Sequence, residues 1–226
     1  MEKVHISWFI GLFGGAIIFF VGYILFSITN YKKRFKNQYD LRNCFPYELN
    51  YESKFTDNLF GNLSLIMSMA FSLALFALGL SYFKTNGYLL VVMISGALYS
   101  IFVALINFIP LKFLRAHLIF TIFLFIVAFL TPGSAGLTAF NIYQQNSEIY
   151  PIIVMSFAAL VALFVFGLIM NPKLSLNIKM NIATDDKGNE YYVRPKFIVI
   201  ALTEWILICG LIVSELLYLL VIIALL

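Results

Sequence analysis

Residues 197–222 read FIVIALTEWILICGLIVSELLYLLVI, a continuous apolar run whose only charged side chains are Glu204 and Glu215. Crossing the hydrocarbon core of a bilayer takes roughly 20 apolar residues at about 1.5 Å rise each, so this segment is long enough to span. Five others match it: 6–28, 59–83, 88–109, 113–131 and 152–170. Hydrophobic residues make up 62% of the chain and charged residues 12%, against about a quarter charged in a soluble domain. These proportions exclude a water-soluble fold. Transmembrane strands need alternating segments of about ten residues, whereas these runs are continuous. The chain therefore reads as an all-α membrane protein, residues 1–226 forming one polytopic domain built as a six-transmembrane-helix bundle.

The charges set an orientation. Of the 15 lysines and arginines, all but Lys3 and Lys84 fall on the first, third and fifth connections. Basic residues resist translocation, which places those connections in the cytoplasm and both termini outside it. The first span lies behind Lys3 but is too long for a secretory signal and lacks a small-x-small cleavage site, so it is read as retained. No organellar or lipidation motif stands out, and the expected location is the plasma membrane, multi-pass. The basic residues are juxtamembrane and mixed with acids, which argues for anchoring by membrane lipids and against a nucleic-acid surface. Cys44 and Cys209 lie at different depths without metal-ligand spacing; neither a metal nor a cofactor is expected.

Two connections carry more than linker composition. In the first, Phe45-Pro46-Tyr47-Glu48-Leu49-Asn50-Tyr51 is too aromatic for a solvated tether and reads as an interfacial anchor, with a lid or docking segment as the alternative. In the fifth, Leu174, Leu176, Ile178, Met180 and Ile182 alternate with polar residues, the period of a strand. A turn-rich Thr184-Asp185-Asp186-Lys187-Gly188-Asn189 and then Glu190-Tyr191-Tyr192-Val193 complete a small cytoplasmic β-hairpin over 174–193. Its Leu176, Ile178 and Met180 are the candidate partner-docking residues. On the other side, Thr131-Pro132-Gly133-Ser134-Ala135-Gly136 is expected to break helix four. Its serine stands one place early for the GxSG of an intramembrane protease.

Helices in lipid associate through small residues. Gly11 and Gly15 on span one, and Ser64, Ser68 and Ser72 on span two, are the candidate packing faces. The short Pro110-Leu111-Lys112 link predicts an antiparallel hairpin of spans three and four, bringing Asn107 and His117 to similar depth.

The costly residues are Glu204 and Glu215, since an acid near a helix centre costs roughly 2.5–3.5 kcal/mol to insert. Eleven residues apart, they lie only about 20° apart around a helix and ~16 Å apart along it. Both carboxyls share a face, and no lysine or arginine lies at the centre of a span to neutralise them. They are held protonated, face water or a cationic substrate, or pair with a basic group on another subunit. Within the chain, His117 is the best partner for Glu204. Glu204, His117 and Asn107 thus form an expected inner polar site and Glu215 an outer one, along a substrate or proton path.

These residues point to a small transporter or translocation subunit for a cationic or amphipathic solute or lipid. One alternative is a non-catalytic subunit of a larger membrane complex that docks a protein partner through the hairpin. An intramembrane lipid-modifying enzyme, with only His117 and the glutamates to offer, ranks last.

Overall fold

The sixth apolar run forms the axis around which the others are arranged. In the computed structural model, which describes residues 5–36, 39–50, 54–83, 87–109, 113–174, 181–184 and 190–226, the helices are α1 (Ile6–Phe35), α2 (Leu59–Phe83), α3 (Gly87–Phe108), α4 (Leu114–Asn146), α5 (Ile149–Ile169) and α6 (Val199–Leu225). All six are long and apolar enough to cross a membrane, as a multi-pass membrane protein requires.

Helix α6 is the most buried, packing against α1, α3, α4 and α5. Helices α1 and α5 are the least buried and turn Trp8, Ile18, Leu25, Ile153, Leu160 and Leu163 outward. Two apolar cores are strung along α6. One gathers Tyr23, Leu49, Tyr99, Trp205 and Leu211; the other gathers Phe9, Phe76, Met93, Tyr218 and Ile222.

Local chemistry sets the helix ends. Helix α1 runs about two turns beyond the expected apolar span, so Lys32, Lys33 and Arg34 occupy its last turn, where cations complement the exposed carbonyls. Lys36 then takes the left-handed conformation and its N–H bonds back to Lys32 O. The largest difference from expectation is in α4. Pro132 does not break the helix, which continues to Asn146, leaving only Ser147 and Glu148 before α5. Proline removes an N–H that would serve the carbonyl four residues earlier. Hydroxyls bracket that gap: Thr131 Oγ1 donates to Val127 O at 2.8 Å and Ser134 Oγ to Leu130 O at 2.5 Å. Neither bond replaces the one lost at the Ala128 carbonyl, and the helix continues because breaking it in lipid would free more backbone groups than the proline does. Leu137-Thr138-Ala139-Phe140, beyond the proline, is helical as well.

The small-residue faces lie where α1 meets α2. A Cβ at Gly15 would stand 2.6 Å from the Phe71 ring, and one at Gly22 would stand 3.2 Å from Ser64 Oγ. Ser68 Oγ donates across to Ala16 O at 2.9 Å. Gly11 has open space in front of it, so the Gly11-x-x-x-Gly15 pair does not act as one contact.

Between α5 and α6, strands β1 (Asn181–Thr184) and β2 (Glu190–Val193) pair antiparallel with Asn181 opposite Val193 and Thr184 opposite Glu190. The proposed docking residues Leu176, Ile178 and Met180 and the turn at 185–189 lie outside the described residues. Ile182 on β1 is exposed.

Candidate functional site

Glu204 sits one turn into α6 and faces α4, where His117 is one turn in from the other direction. Their side chains meet: His117 Nε2 lies 3.0 Å from Glu204 Oε1, with exposures of 1% and 0%. On the far side of the ring, Nδ1 lies 2.7 Å from the Ile109 carbonyl. A carbonyl only accepts, so Nδ1 carries hydrogen. The remaining proton is shared between Nε2 and Oε1. Whether imidazole with carboxylic acid or imidazolium with carboxylate, the pair has no net charge, which is what a dry site tolerates. Taking up one further proton makes it cationic.

Thr121, one turn along α4 from His117, places Oγ1 3.2 Å from Glu204 Oε1 and donates to His117 O at 2.9 Å. Glu204 Oε2 has no hydrogen-bond partner among the described residues. Asn107 is not part of this group. Its amide oxygen accepts from Tyr23 Oη at 2.5 Å and its nitrogen donates to Val103 O at 2.7 Å, tying α3 to α1. The expected triad is therefore a pair plus Thr121.

A plug closes the site. Residues 39–50 fold into a short turn-rich segment, with a 3₁₀ turn at Pro46–Asn50, whose Phe45, Tyr47 and Leu49 are buried. The Tyr47 and Phe45 rings stand edge-on to the His117 ring at centroid distances of 5.6 and 6.5 Å. Phe45, Tyr47 and Leu49 of the aromatic stretch are thus packed into the protein. Besides Arg34 Nη2 donating to Leu49 O at 2.6 Å and Asn58 Nδ2 to Asn50 Oδ1 at 2.9 Å, three sets of bonds tie it to α6 and the β-hairpin. Trp205 Nε1 donates to Tyr39 Oη and Cys44 O, both at 3.1 Å, and Ile198 N donates to Arg42 O at 2.8 Å. The third is an ion pair between Arg194, directly after β2, and Glu48. Glu48 Oε1 also accepts from Phe45 N at 3.0 Å, so one carboxylate closes the turn and receives the arginine.

Comparison of the chain with protein-family models, curated proteins and solved structures finds no match in any of the three. Its chemistry has to be argued from these side chains.

The second acid is different. Glu215 is fully buried, and neither of its oxygens has a hydrogen-bond partner among the described residues. Ser72 on α2 lies close enough to contact the carboxyl and Tyr99 on α3 is within electrostatic reach, but the single hydrogen of the Ser72 hydroxyl goes to Ser68 O at 3.0 Å and that of Tyr99 to Leu207 O at 2.5 Å. Between the two acids, Leu207, Ile208 and Leu211 are fully buried, so apolar packing separates the inner site from the outer. Among the described residues no cluster of three or more His, Cys, Asp or Glu could hold a metal.

Sequence reasoning found both acids and His117, because charge in a span is conspicuous. It missed Thr121, although its spacing of four from His117 on one helix was a usable signal. It also missed the Glu48–Arg194 pair, for which no local signal exists across 146 positions.

Proposed function

We propose that this chain is a small proton-linked membrane transporter for a cationic or amphipathic solute, with Glu204 and Glu215 as its carriers of exchangeable charge. The observation that carries this reading is Glu215. Buried polar groups are normally bonded, and an acid inside a span is a functional group by default. One with both oxygens idle is suited to a partner that comes and goes. In exchange chemistry each carboxyl holds either a proton or, as carboxylate, the cation that replaces it. The His117–Glu204 pair accepts or gives up a proton within existing hydrogen bonds. The plug is the inner gate and the Leu207, Ile208 and Leu211 layer the barrier between sites. The topology that goes with this reading is a plasma-membrane protein with both termini extracytoplasmic and the plug on the cytoplasmic side.

The test is uptake of tetraphenylphosphonium into proteoliposomes under an imposed pH gradient. The native protein should accumulate the probe, and Glu204→Gln and Glu215→Gln should each abolish uptake while eluting and melting as folded protein. Absence of uptake by the native protein, or unchanged uptake in both variants, overturns the reading.

A second reading, a docking subunit of a larger membrane complex, is favoured by the hairpin. Two strands alone are marginally stable in water, and Ile182 remains 61% exposed, as though awaiting a cover. A stoichiometric partner that co-purifies with the native chain and is lost when Leu176, Ile178 and Met180 become serine would support it; a lone chain in gentle extraction would not.

A further inference from the structure

Where α1 ends and α2 begins, the two helices bound a groove of about 630 Å³, within the range of about 300–1,000 Å³ typical of small-molecule sites. It lies away from both acids and does not depend on their role. Its polarity is graded. The lower wall carries Leu25, Phe26 and Phe60, the two rings 5.9 Å apart and 50% and 70% exposed. Along α1 the lining then passes through Thr29 and Asn30 to Lys33, facing Thr56 and Asp57. From Phe26 to Lys33 is about 10 Å along a helix axis, comparable to the width of a head-group layer, about 5–8 Å.

Hydrogen bonds hold the walls together. Asn30 Nδ2 donates to the Asp57 carbonyl, and Asn58 Nδ2 donates to Ser27 Oγ at 3.0 Å and Asn50 Oδ1 at 2.9 Å. Asp57 Oδ2 accepts from Lys54 N at 2.8 Å, and Arg34 lies within electrostatic reach of the same carboxylate. The lining itself carries one cation, Lys33, and one acceptor carboxylate, Asp57, above bare aromatic rings, and the surplus of positive charge comes from the neighbouring Lys32 and Arg34 in the last turn of α1.

We propose that this groove binds an anionic glycerophospholipid with a hydroxylated head group. The phosphodiester lies toward Lys33, the head-group hydroxyls donate toward Asp57, and the acyl chains pass over Phe26 and Phe60. General attraction of a basic helix end for anionic lipid does not require Lys33 in particular. Lys32, equally basic and exposed, does not line the groove.

Native mass spectrometry on delipidated protein offered equal phosphatidylglycerol and phosphatidylcholine tests this. The native protein should retain phosphatidylglycerol about tenfold more than phosphatidylcholine, Lys33→Gln should erase the preference, and Lys32→Gln should preserve it. Phe26→Ala with Phe60→Ala should reduce retention of both lipids. Glycerol phosphate alone at the same concentration should not bind. Equal retention of the two lipids by the native protein overturns the site; so do equal losses in Lys32→Gln and Lys33→Gln, or binding of glycerol phosphate as tight as that of the lipid. Lys33 is exposed and its loss leaves the folded core intact, so unchanged elution and melting separate a binding effect from unfolding.

Discussion

Arg194 meets Glu48 through two parallel bonds, Nη1 to Oε2 at 2.7 Å and Nη2 to Oε1 at 2.9 Å. This fork joins the end of the β-hairpin to the plug over His117. The carboxylate is almost fully buried and the guanidinium 38% exposed. Stripping the partner from a fully buried pair costs about 3–5 kcal/mol, and solvent at Arg194 brings that nearer to 1–2 kcal/mol.

Releasing this latch should uncover Cys44, which is buried in the plug. In a Cys209→Ser background, Arg194→Ala should raise the rate of Cys44 alkylation about tenfold, the factor for ~1.4 kcal/mol of easier opening. Burial pushes the Cys44 thiol up, so the latched protein should react slowly at neutral pH. Its rate should go on climbing with pH beyond the point where an exposed thiol levels off. The same shift means that this thiol lowers stability only in alkali, where the unfolded chain ionises it and the folded chain does not. Equal alkylation rates with and without Arg194 would show that the pair does not hold the plug.

For His117, the fixed contact with the Ile109 carbonyl predicts an imidazole protonated at Nδ1 in every titration state. Nitrogen NMR of labelled protein reads this directly, and a spectrum with hydrogen on Nε2 alone would contradict the assignment. His117→Ala leaves Glu204 Oε1 with Thr121 only, a loss of about 1–3 kcal/mol. A chain of this size should then melt several degrees lower, at about 2–4 °C per kcal/mol.

Glu215 separates function from stability. Because neither oxygen is bonded, Glu215→Met removes a polar group whose burial costs about 1–3 kcal/mol by mutational measures. Its melting temperature should hold or rise while probe uptake is lost. A sharp fall in melting temperature would mean that the carboxyl is a structural bonding group after all.

Gly79 lies against α6. A Cβ there would overlap the Tyr218 hydroxyl and stand 2.7 Å from Met93 Sδ, so Gly79→Ala should destabilise by about 1–3 kcal/mol, as overpacking does. The Tyr218 hydroxyl has no partner among the described residues. Tyr218→Phe alone should therefore be neutral or mildly stabilising, and combining the two substitutions should recover part of the loss. Thermal melting of the four proteins forms the cycle, and strict additivity would show that the hydroxyl is not what the new methyl meets.

What was legible before the structure was whatever depends on position along the chain. Continuous apolar length marks a span, because no other element satisfies its backbone in lipid. A helical period of 3.6 put Glu204 and Glu215 on one side of α6; both are buried, Glu204 against His117 of α4 and Glu215 near Ser72 of α2 and Tyr99 of α3. Pro132 was misleading because a proline costs one backbone bond, here that of the Ala128 carbonyl, while leaving the helix in lipid would forfeit many, and the helix runs on to Asn146. Asn107 was misassigned because similar depth is not proximity: the helices had to be turned correctly about their axes, and that turn brings Asn107 to Tyr23.

The sequence by itself determined six apolar spans, the alternation of basic connections and the two acids of span six, since each follows from the cost of placing a given side chain at a given depth. Only the tertiary structure decided which side chains meet. Helices apolar all round carry no stripe to say which face turns inward, and in lipid their rotation is set by close packing at residues such as Gly15, Gly22 and Gly79. The contact of His117 with Glu204, and the capture of Glu48 by Arg194, are consequences of that packing, which no residue's own chemistry could announce.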